Sequence, residues 1–582
     1  MRSTFSGLNT MVRGVFANQL SLDTVGHNIT NASTEGYSRQ AVNQAATRAQ
    51  EVPSLYGNSL VGTGVDAMSI KRARNIYADK QYWTETSTHE YYKAAQVNYD
   101  KLEAIFDDSD NTGIKDAMDA FYSAWNSLST DASTDSKRVT VIEKGNILVD
   151  KMSTAASQLQ DQINAQYDDI KVHLTTINDV NSQIVELNKN IMGAEAVGAS
   201  ANDLRDQRDL LVDKLSTYMN INVYEDDKGM YTIVSNGISI VNGINKLTLE
   251  MSDPYANADY GLNDYSIQIK ESGIAFIPQN GALKAELDTI AEDKGYIDSI
   301  ADIAAFMMTT FNAMHQQGAG IDGADGNIGT YTNNSTYSGP TYGINFFGDN
   351  NTVYTWDDAN NCVVATEYDD NDITRSLSTP AAATDTPQVL ITGTVTSTTN
   401  LKAMNIIKAL QINTKLTAAG GTSLVAARSL SVEAATTSTG AYSGSYKIVP
   451  NGTKDGTNAV NISSLFNLEV ANVKSTADVY YNGTQVDMGS RAISDISMNA
   501  YYQSVMSQLG TDAKSIDNKE SAQDDLITQI VNWRSSTSGV DWNEELTNMI
   551  TFQKGYSACS RCLTTMDEML DRLINSTGVV GR

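Results

Sequence analysis

Gly539 to Ser576 reads GVDWNEELTNMITFQKGYSACSRCLTTMDEMLDRLINS, and within it Met549, Phe552, Tyr556, Cys559, Leu563, Met566, Leu570 and Leu573 step by three and four residues in alternation. That spacing keeps one apolar seam along one side of a helix. The other end of the chain carries a matching series: Leu8, Met11, Val15, Asn18, Leu22, Val25 and Ile29. Two such helices, more than five hundred residues apart, need each other or a neighbouring molecule to hide their apolar sides. Asn18 is the polar member; it either fixes register or reaches solvent at a partly open interface. Thr4 is placed to cap the first helix.

Working inward, Ile163, Ile170, Ile177, Ile184 and Ile191 recur every seven residues. This requires one continuous helix over roughly 42 Å at 1.5 Å per residue, and the stripe is expected to form the core of a bundle. Gly193 and Gly198 are expected to end it. After Ile221 the period falls to two: YTIV, ISIV, KLTLE and YSIQIK alternate, with Asn236-Gly237 and Asn242-Gly243 as hairpin turns. Helix returns over about 282–316. Strand and loop follow to about 490, with Asn451-Gly452 and Asn482-Gly483 as turns, and helix resumes to the end with a break at Ser535–Gly539.

The order implies a multidomain α+β protein. Rod-like helical domains are built from both chain ends, with terminal coiled-coil helices plus a long helix bundle, and β-rich domains are inserted. The expected division is 1–70 with 541–582 as the terminal coiled coil. Residues 71–222 with 282–318 and 491–540 form the helical rod. Residues 223–281 with 319–375 form a β-rich domain, and 376–490 a variable β-rich insert.

The chain of 582 residues carries 69 acidic against 41 basic side chains, a formal charge of −28. That balance disfavours nucleic acid or an anionic membrane as partner. Three cysteines are too few for a disulfide scaffold. No Sec-type leader is visible, and no run approaches the roughly 20 apolar residues of a membrane span. Composition alone would place such a chain in the cytoplasm.

Chemistry-bearing motifs are weak. Cys559-Ser-Arg-Cys562 has redox or zinc spacing, but two further ligands are wanting and Cys559 lies on the seam. His27, His89, His173 and His315 form no His-Glu-x-x-His, and a structural hydrogen bond is expected of His315. Asp322-Gly-Ala-Asp325-Gly-Asn lacks the acid spacing of a calcium loop and is expected to be turn chemistry. No catalytic, cofactor or metal site is expected.

Asn28-Ile-Thr-Asn31-Ala-Ser-Thr-Glu-Gly36-Tyr37-Ser-Arg39 resembles the N-terminal signature of the flagellar axial proteins, the rod, hook and hook-associated family. Three further stretches narrow the resemblance to the hook-associated members. They are Asn202 to Asp209 with Leu211 and Leu215; Asn312, His315, Gly318, Asp322 and Gly326 before Phe346-Phe347; and Gly539-Val-Asp541, Glu544-Glu545, Phe552-Gln553, Tyr556 and Leu573-Ile574. The resemblance covers about 1–350 and 490–582.

It implies a structural subunit that joins hook to filament. The protein would be exported through the flagellar type III apparatus without a cleaved signal and located outside the cell. It would self-assemble into a ring, contact the hook protein and a second junction protein, and be held by an export chaperone on its C-terminal segment. The alternatives are a flagellin-like or hook-like axial protein, or an axial subunit whose insert is an adhesin. The seam residues of both ends would form the assembly interface, with Asn28, Asn31, Gly36 and Tyr37 as the family signature. Burying one seam does not offset the entropy of ordering its helix. Residues near 1–35 and 545–582 are therefore expected to be mobile in the monomer and to fold on assembly.

Overall fold

The computed structural model describes residues 6–54, 57–107, 113–325, 328–332, 339–385, 387–440, 442–467, 478–481, 484–485, 493 and 496–576. Thr4 and Asn482-Gly483 lie outside these residues. The helices in chain order are α1 (Ser6–Thr30), α2 (Ile76–Ile105), α3 (Ile114–Thr130), α4 (Asp135–Ala196), α5 (Asn202–Tyr218), α6 (Ala282–Phe306), α7 (Asn312–Gln316), α8 (Met404–Ala409), α9 (Thr414–Thr417), α10 (Thr457–Ser464), α11 (Met498–Ser538) and α12 (Trp542–Ser576). Among the described residues no helix is long and apolar enough to cross a membrane.

The rod is built on α4, whose 62 residues span about 93 Å at 1.5 Å each. Its five heptad isoleucines are at most 1% exposed, and Ile163, Ile170, Ile177 and Ile184 belong to a core that runs from Trp83 to Leu509. Around them pack α3, α5 and α6; α2 lies against α5, α6 and α11. Gly193 sits inside α4 rather than ending it. The stop comes at Val197 and Gly198, whose φ of 83° carries the chain out of the helix.

The first β region is a meander of Asn222–Glu225, Tyr231–Ser235, Ile238–Asn242 and Asn245–Lys246 lying on α4. Asn236 and Gly237 both have positive φ, 47° and 77°, as a two-residue hairpin turn demands. Among the described residues none of these strands pairs with a strand beyond 319, so 223–281 and 319–375 do not share a sheet. The boundary expected at 375/376 falls inside a strand. Thr374–Leu377 pairs with Tyr331–Thr332 on one edge and Gln388–Thr392 on the other. Ala319 bridges Arg428 and Phe347 bridges Ile412, so the segments on either side of that boundary are interwoven.

A π-helical turn, Met307–Phe311, joins α6 to α7 at the root of this second region. It presents Asn312 to the backbone of Phe346 and Phe347: its Oδ1 accepts from both N–H groups at 2.9 Å and its Nδ2 donates to the Phe347 carbonyl. Phe121, Trp125, Phe311, Phe346, Phe347 and Phe466 cluster there, in edge-to-face and tilted pairs with Phe121 stacked on Phe311. His315, wholly buried, donates from Nδ1 to the Ile344 carbonyl at 2.9 Å and accepts at Nε2 from Ala426 N–H at 3.0 Å. Both nitrogens are thus used by a neutral ring, and burial lowers its pKa to about 4. Asp322 accepts from Thr341 N–H at 2.8 Å and Asp325 pairs with Arg428 at 2.9 Å. Both are long-range tethers rather than the local turn bonds that the loop's sequence suggests.

Candidate assembly joint

The two chain ends meet as one antiparallel helix pair. Gly7 abuts Met566, Gly14 abuts Cys559, Asn18 abuts Gly555 and Asn28 bonds Glu545; in every pair the residue numbers add to 573. A Cβ on Gly7 would stand 2.8 Å from the Met566 methyl, and one on Gly14 3.0 Å from Cys559 Sγ. The facing row of α1 is thus Gly7, Met11, Gly14, Asn18, Ser21, Val25 and Asn28. This corrects the N-terminal seam by one residue at four positions. Leu8, Val15, Leu22 and Ile29 lie beside the contact and are only half-buried, whereas Met11, Asn18 and Val25 hold their places.

The reason is steric: small side chains let the two backbones approach, and a count of apolar residues does not see them. Asn18 folds back to donate to the Gly14 carbonyl at 2.7 Å and lies over Gly555, so it neither reaches across nor points freely into solvent. On α12, Met549, Phe552, Cys559, Leu563, Met566 and Leu570 are half-buried, while Tyr556 and Leu573 are exposed. Phe16, Trp542, Ile550, Met569 and Ile574 also face solvent. The pair therefore hides one narrow stripe, the ribbon of Gln40–Ala46 with Val65–Arg72 and adjoining Thr63 covers a second side of α1 through Arg13, Ser21 and Thr10, and the remaining faces are open.

Where the pair meets the rod, three separate stretches of sequence converge. Asn28, 1% exposed, accepts at Oδ1 from Tyr37 Oη (2.8 Å) and Gln40 N–H (2.9 Å). Its Nδ2 donates to the Gln40 carbonyl (2.8 Å) and to Glu545 (3.1 Å), so the side chain is saturated. Asn31 closes α1, donating to the His27 carbonyl at 3.0 Å. Gly36, at φ 76°, lies against Leu210: a Cβ there would stand 3.2 Å from the Leu210 Cβ and be both strained and crowded.

Arg39 donates to Glu545 and Glu544 at 2.7 Å each. Those carboxylates begin α12, where the helix dipole favours them. From the other side, Ser38 N–H bonds Asp206 (3.0 Å), Gln40 bonds Asp203 (2.8 Å) and Asn202 bonds Gln40 (3.1 Å). The Asn28–Arg39 loop is thereby clamped between α5 and the start of α12.

Beneath it lies an ionic cluster that sequence reading does not single out. Arg72 bonds Asp206 and Asp209 at 2.7 Å. Arg74 pairs with Asp79 (2.8 Å) and Asp209 (3.2 Å), and Arg534 reaches Asp79 (3.0 Å) and Asp213 (2.8 Å). Burial alone would raise Asp209, but Arg74, Arg72 and Arg208 together outweigh it and hold the carboxyl below its usual range. The cluster ties α2, α5, α11 and the ribbon of Gln40–Ala46 with Val65–Arg72 into one block. A groove of about 710 Å³ runs over it, between Gly36, Leu210, Arg534 and Val540. Among the described residues no group of histidine, cysteine and carboxylate ligands has metal-site geometry; Cys559 packs on Gly14 and Cys562 is exposed.

Comparison with known proteins gives this arrangement a context. Residues 99–329 match the family model described as the flagellar hook-associated protein FlgK helical domain. Residues 534–576 match that of the flagellar basal body rod FlgEFG protein C-terminal. Flagellar hook-associated protein 1 of Bacillus subtilis is 26% identical, with 100% of both chains covered. That of Escherichia coli is 25% identical over 98% of this chain and 99% of the relative. The flagellar hook junction protein FlgK from Burkholderia pseudomallei shares the fold at a TM-score of 0.50 and 17% identity, covering 79% of this chain and 100% of that one. With end-to-end relatives, a helical-domain match over the rod and an axial-protein match on α12, the chain is similar over its whole length to flagellar hook-associated protein 1.

Proposed function

We propose that this chain is a structural, non-enzymatic subunit of the bacterial flagellum at the junction of hook and filament, where it adapts one lattice to the other. The observation that carries this reading is the joint. A narrow, half-covered pair made from both chain ends is fixed to a fully packed rod through Asn28, Tyr37, Arg39, Asp206 and Glu545. A lattice adaptor needs such a division: ends open to neighbours and a rigid body that sets their angle.

In this reading many copies form a ring, contacting the hook protein on one side and a second junction protein on the other. The exposed faces of α1 and α12, with the assembly residues Leu8, Met11, Val15, Leu22, Val25, Ile29, Met549, Phe552, Tyr556, Cys559, Leu563, Met566, Leu570 and Leu573, order fully when neighbours cover them. Before assembly an export chaperone holds the C-terminal segment, and the subunit leaves the cell through the flagellar export apparatus without a cleaved leader. The proposed units are the terminal pair, the helical rod, and β-rich regions set on the rod.

Deleting the gene tests the reading. Cells with hooks, no filaments and filament monomer in the medium are expected; cells with normal filaments would refute it. Amide exchange on the free monomer tests the ordering step. Rapid exchange in 6–30 and 545–576 beside slow exchange in α4 is expected, and slow exchange at both ends would overturn it.

A further inference from the structure

α6 carries Glu286, Asp288, Asp293 and Asp302 toward the rod and leaves Glu292 and Asp298 exposed, and each of these acids is met by a hydrogen-bonding group from another element. Tyr91 Oη of α2 donates to Asp288 at 3.0 Å, Tyr260 Oη of the first β region to Asp298 at 2.8 Å and Tyr501 Oη of α11 to Asp302 at 2.6 Å. Tyr99 of α2 bonds Glu292, and His173 of α4 meets Glu286 at 2.8 Å. Asp293 sits deepest, 0% exposed, where α2, α4 and α6 cross. Asn98 Nδ2 donates to its Oδ1 and Gln162 Nε2 to its Oδ2, both at 3.0 Å.

No lysine, arginine or histidine pairs with Asp293 among the described residues. The titratable groups that bear on it are Glu292 and Tyr296 of α6, with Tyr99 of α2 and Asp512 of α11 acting on that pair; α4 offers only the amides of Gln162 and Gln166. A hydrogen bond from Gln166 opposes protonation and favours the carboxylate, yet the Gln166 Oε1 is a buried acceptor that no donor satisfies. A neutral carboxylic acid has a hydroxyl to give; a carboxylate has none.

We infer that α6 is a proton-linked clamp, in which Asp293 takes up a proton as α2, α4 and α6 close around it and gives the acid hydroxyl to the Gln166 amide oxygen. The proton comes from water and returns to it on opening, so no other reactant is needed. Burial raises Asp293 to about 7 and Asp302 to about 6. A carboxyl raised on folding stabilises the packed rod when protonated, and that contribution is lost as pH rises through the folded value. From pH 8.5 to pH 6, Asp293 alone shifts the closed-to-open ratio roughly tenfold toward closed. His315 acts oppositely as pH falls below the ordinary imidazole value, so the measurement must isolate Asp293.

The test compares the full-length protein with Asp293→Asn, which keeps the shape of the neutral acid. Denaturant unfolding of the rod is followed at pH 6 and 8.5. The pH-dependence of the unfolding constant is expected to differ between the two proteins by about tenfold, with the variant at least as stable at pH 8.5. In infrared spectra at pH 6 the neutral carboxylic-acid carbonyl band, to which Asp302 also contributes, is expected to be stronger in the wild type than in the variant. If Asp293→Asn does not fold, calorimetry in two buffers at pH 6 on the Asp302→Asn, His315→Gln double variant, which removes the competing acid and imidazole, reads the proton that Asp293 releases on unfolding. Equal pH slopes, no difference in the acid band, or no release attributable to a raised acid would each overturn the clamp.

Discussion

The rod and the terminal pair are both helix-on-helix contacts, yet they are made of opposite materials. Along α4 the contact row is isoleucine every seventh residue, each at most 1% exposed. Along α1 the equivalent row is Gly7, Gly14, Ser21 and Asn28, and the large apolar side chains stand to either side. A core of branched aliphatics is complete within one chain. A contact of small residues gains close approach but little buried area, and it leaves apolar flanks for other molecules. The contrast marks which half of the molecule is finished as a monomer and which is finished by company.

Four changes would break or sharpen that contrast. Ile177→Ala, in the finished half, is expected to cost about 2–5 kcal/mol in denaturant unfolding, because the packed rod cannot collapse around the void. A loss below 1 kcal/mol would mean the rod is as loose as the ends. Acid comes next. His315 is buried neutral with its pKa lowered to about 4, so stability falls as pH drops through the ordinary imidazole range and levels off below the folded value. The total is about 3 kcal/mol, and unfolding curves for His315→Gln should lack this component.

Glu545→Gln removes a carboxylate that is 1% exposed from Arg39 and Asn28. Glu544 still holds the guanidinium, so a cost of about 1–3 kcal/mol is expected, read as faster amide exchange at the start of α12 with α4 unchanged. The smallest effect is Phe16→Ser. At 66% exposure it should move monomer stability by less than about 0.5 kcal/mol while impairing polymerisation measured by light scattering. Unimpaired polymerisation would show that this face of α1 is not a contact.

The aliphatic stripe, the hairpins and the pairing of the two ends are legible in the sequence because hydrophobic period and Asn-Gly turns are local signals. The exact row of α1 is not, because glycine and serine at a contact carry no hydrophobicity for a pattern to find. Arg72, Arg74 and Arg534 are invisible for another reason: their partners Asp206, Asp209, Asp79 and Asp213 lie up to hundreds of residues away, and an ion pair has no period. The boundary at 375/376 failed because strand pairing between Thr374–Leu377 and Gln388–Thr392 is likewise non-local. The acids of α6 read as the polar side of an amphipathic helix; Glu292 and Asp298 are exposed as that reading implies, and only the surrounding amides show that Asp293 points inward.

The register of the terminal pair also orders events in time. α1 can settle early on the ribbon of Gln40–Ala46 with Val65–Arg72 and on adjoining Thr63, through Arg13, Ser21 and Thr10, but Gly7 meets Met566 only once α12 has been made. A chain stopped before α12 can therefore complete most of its rod and still lack the partner for the small-residue row of α1.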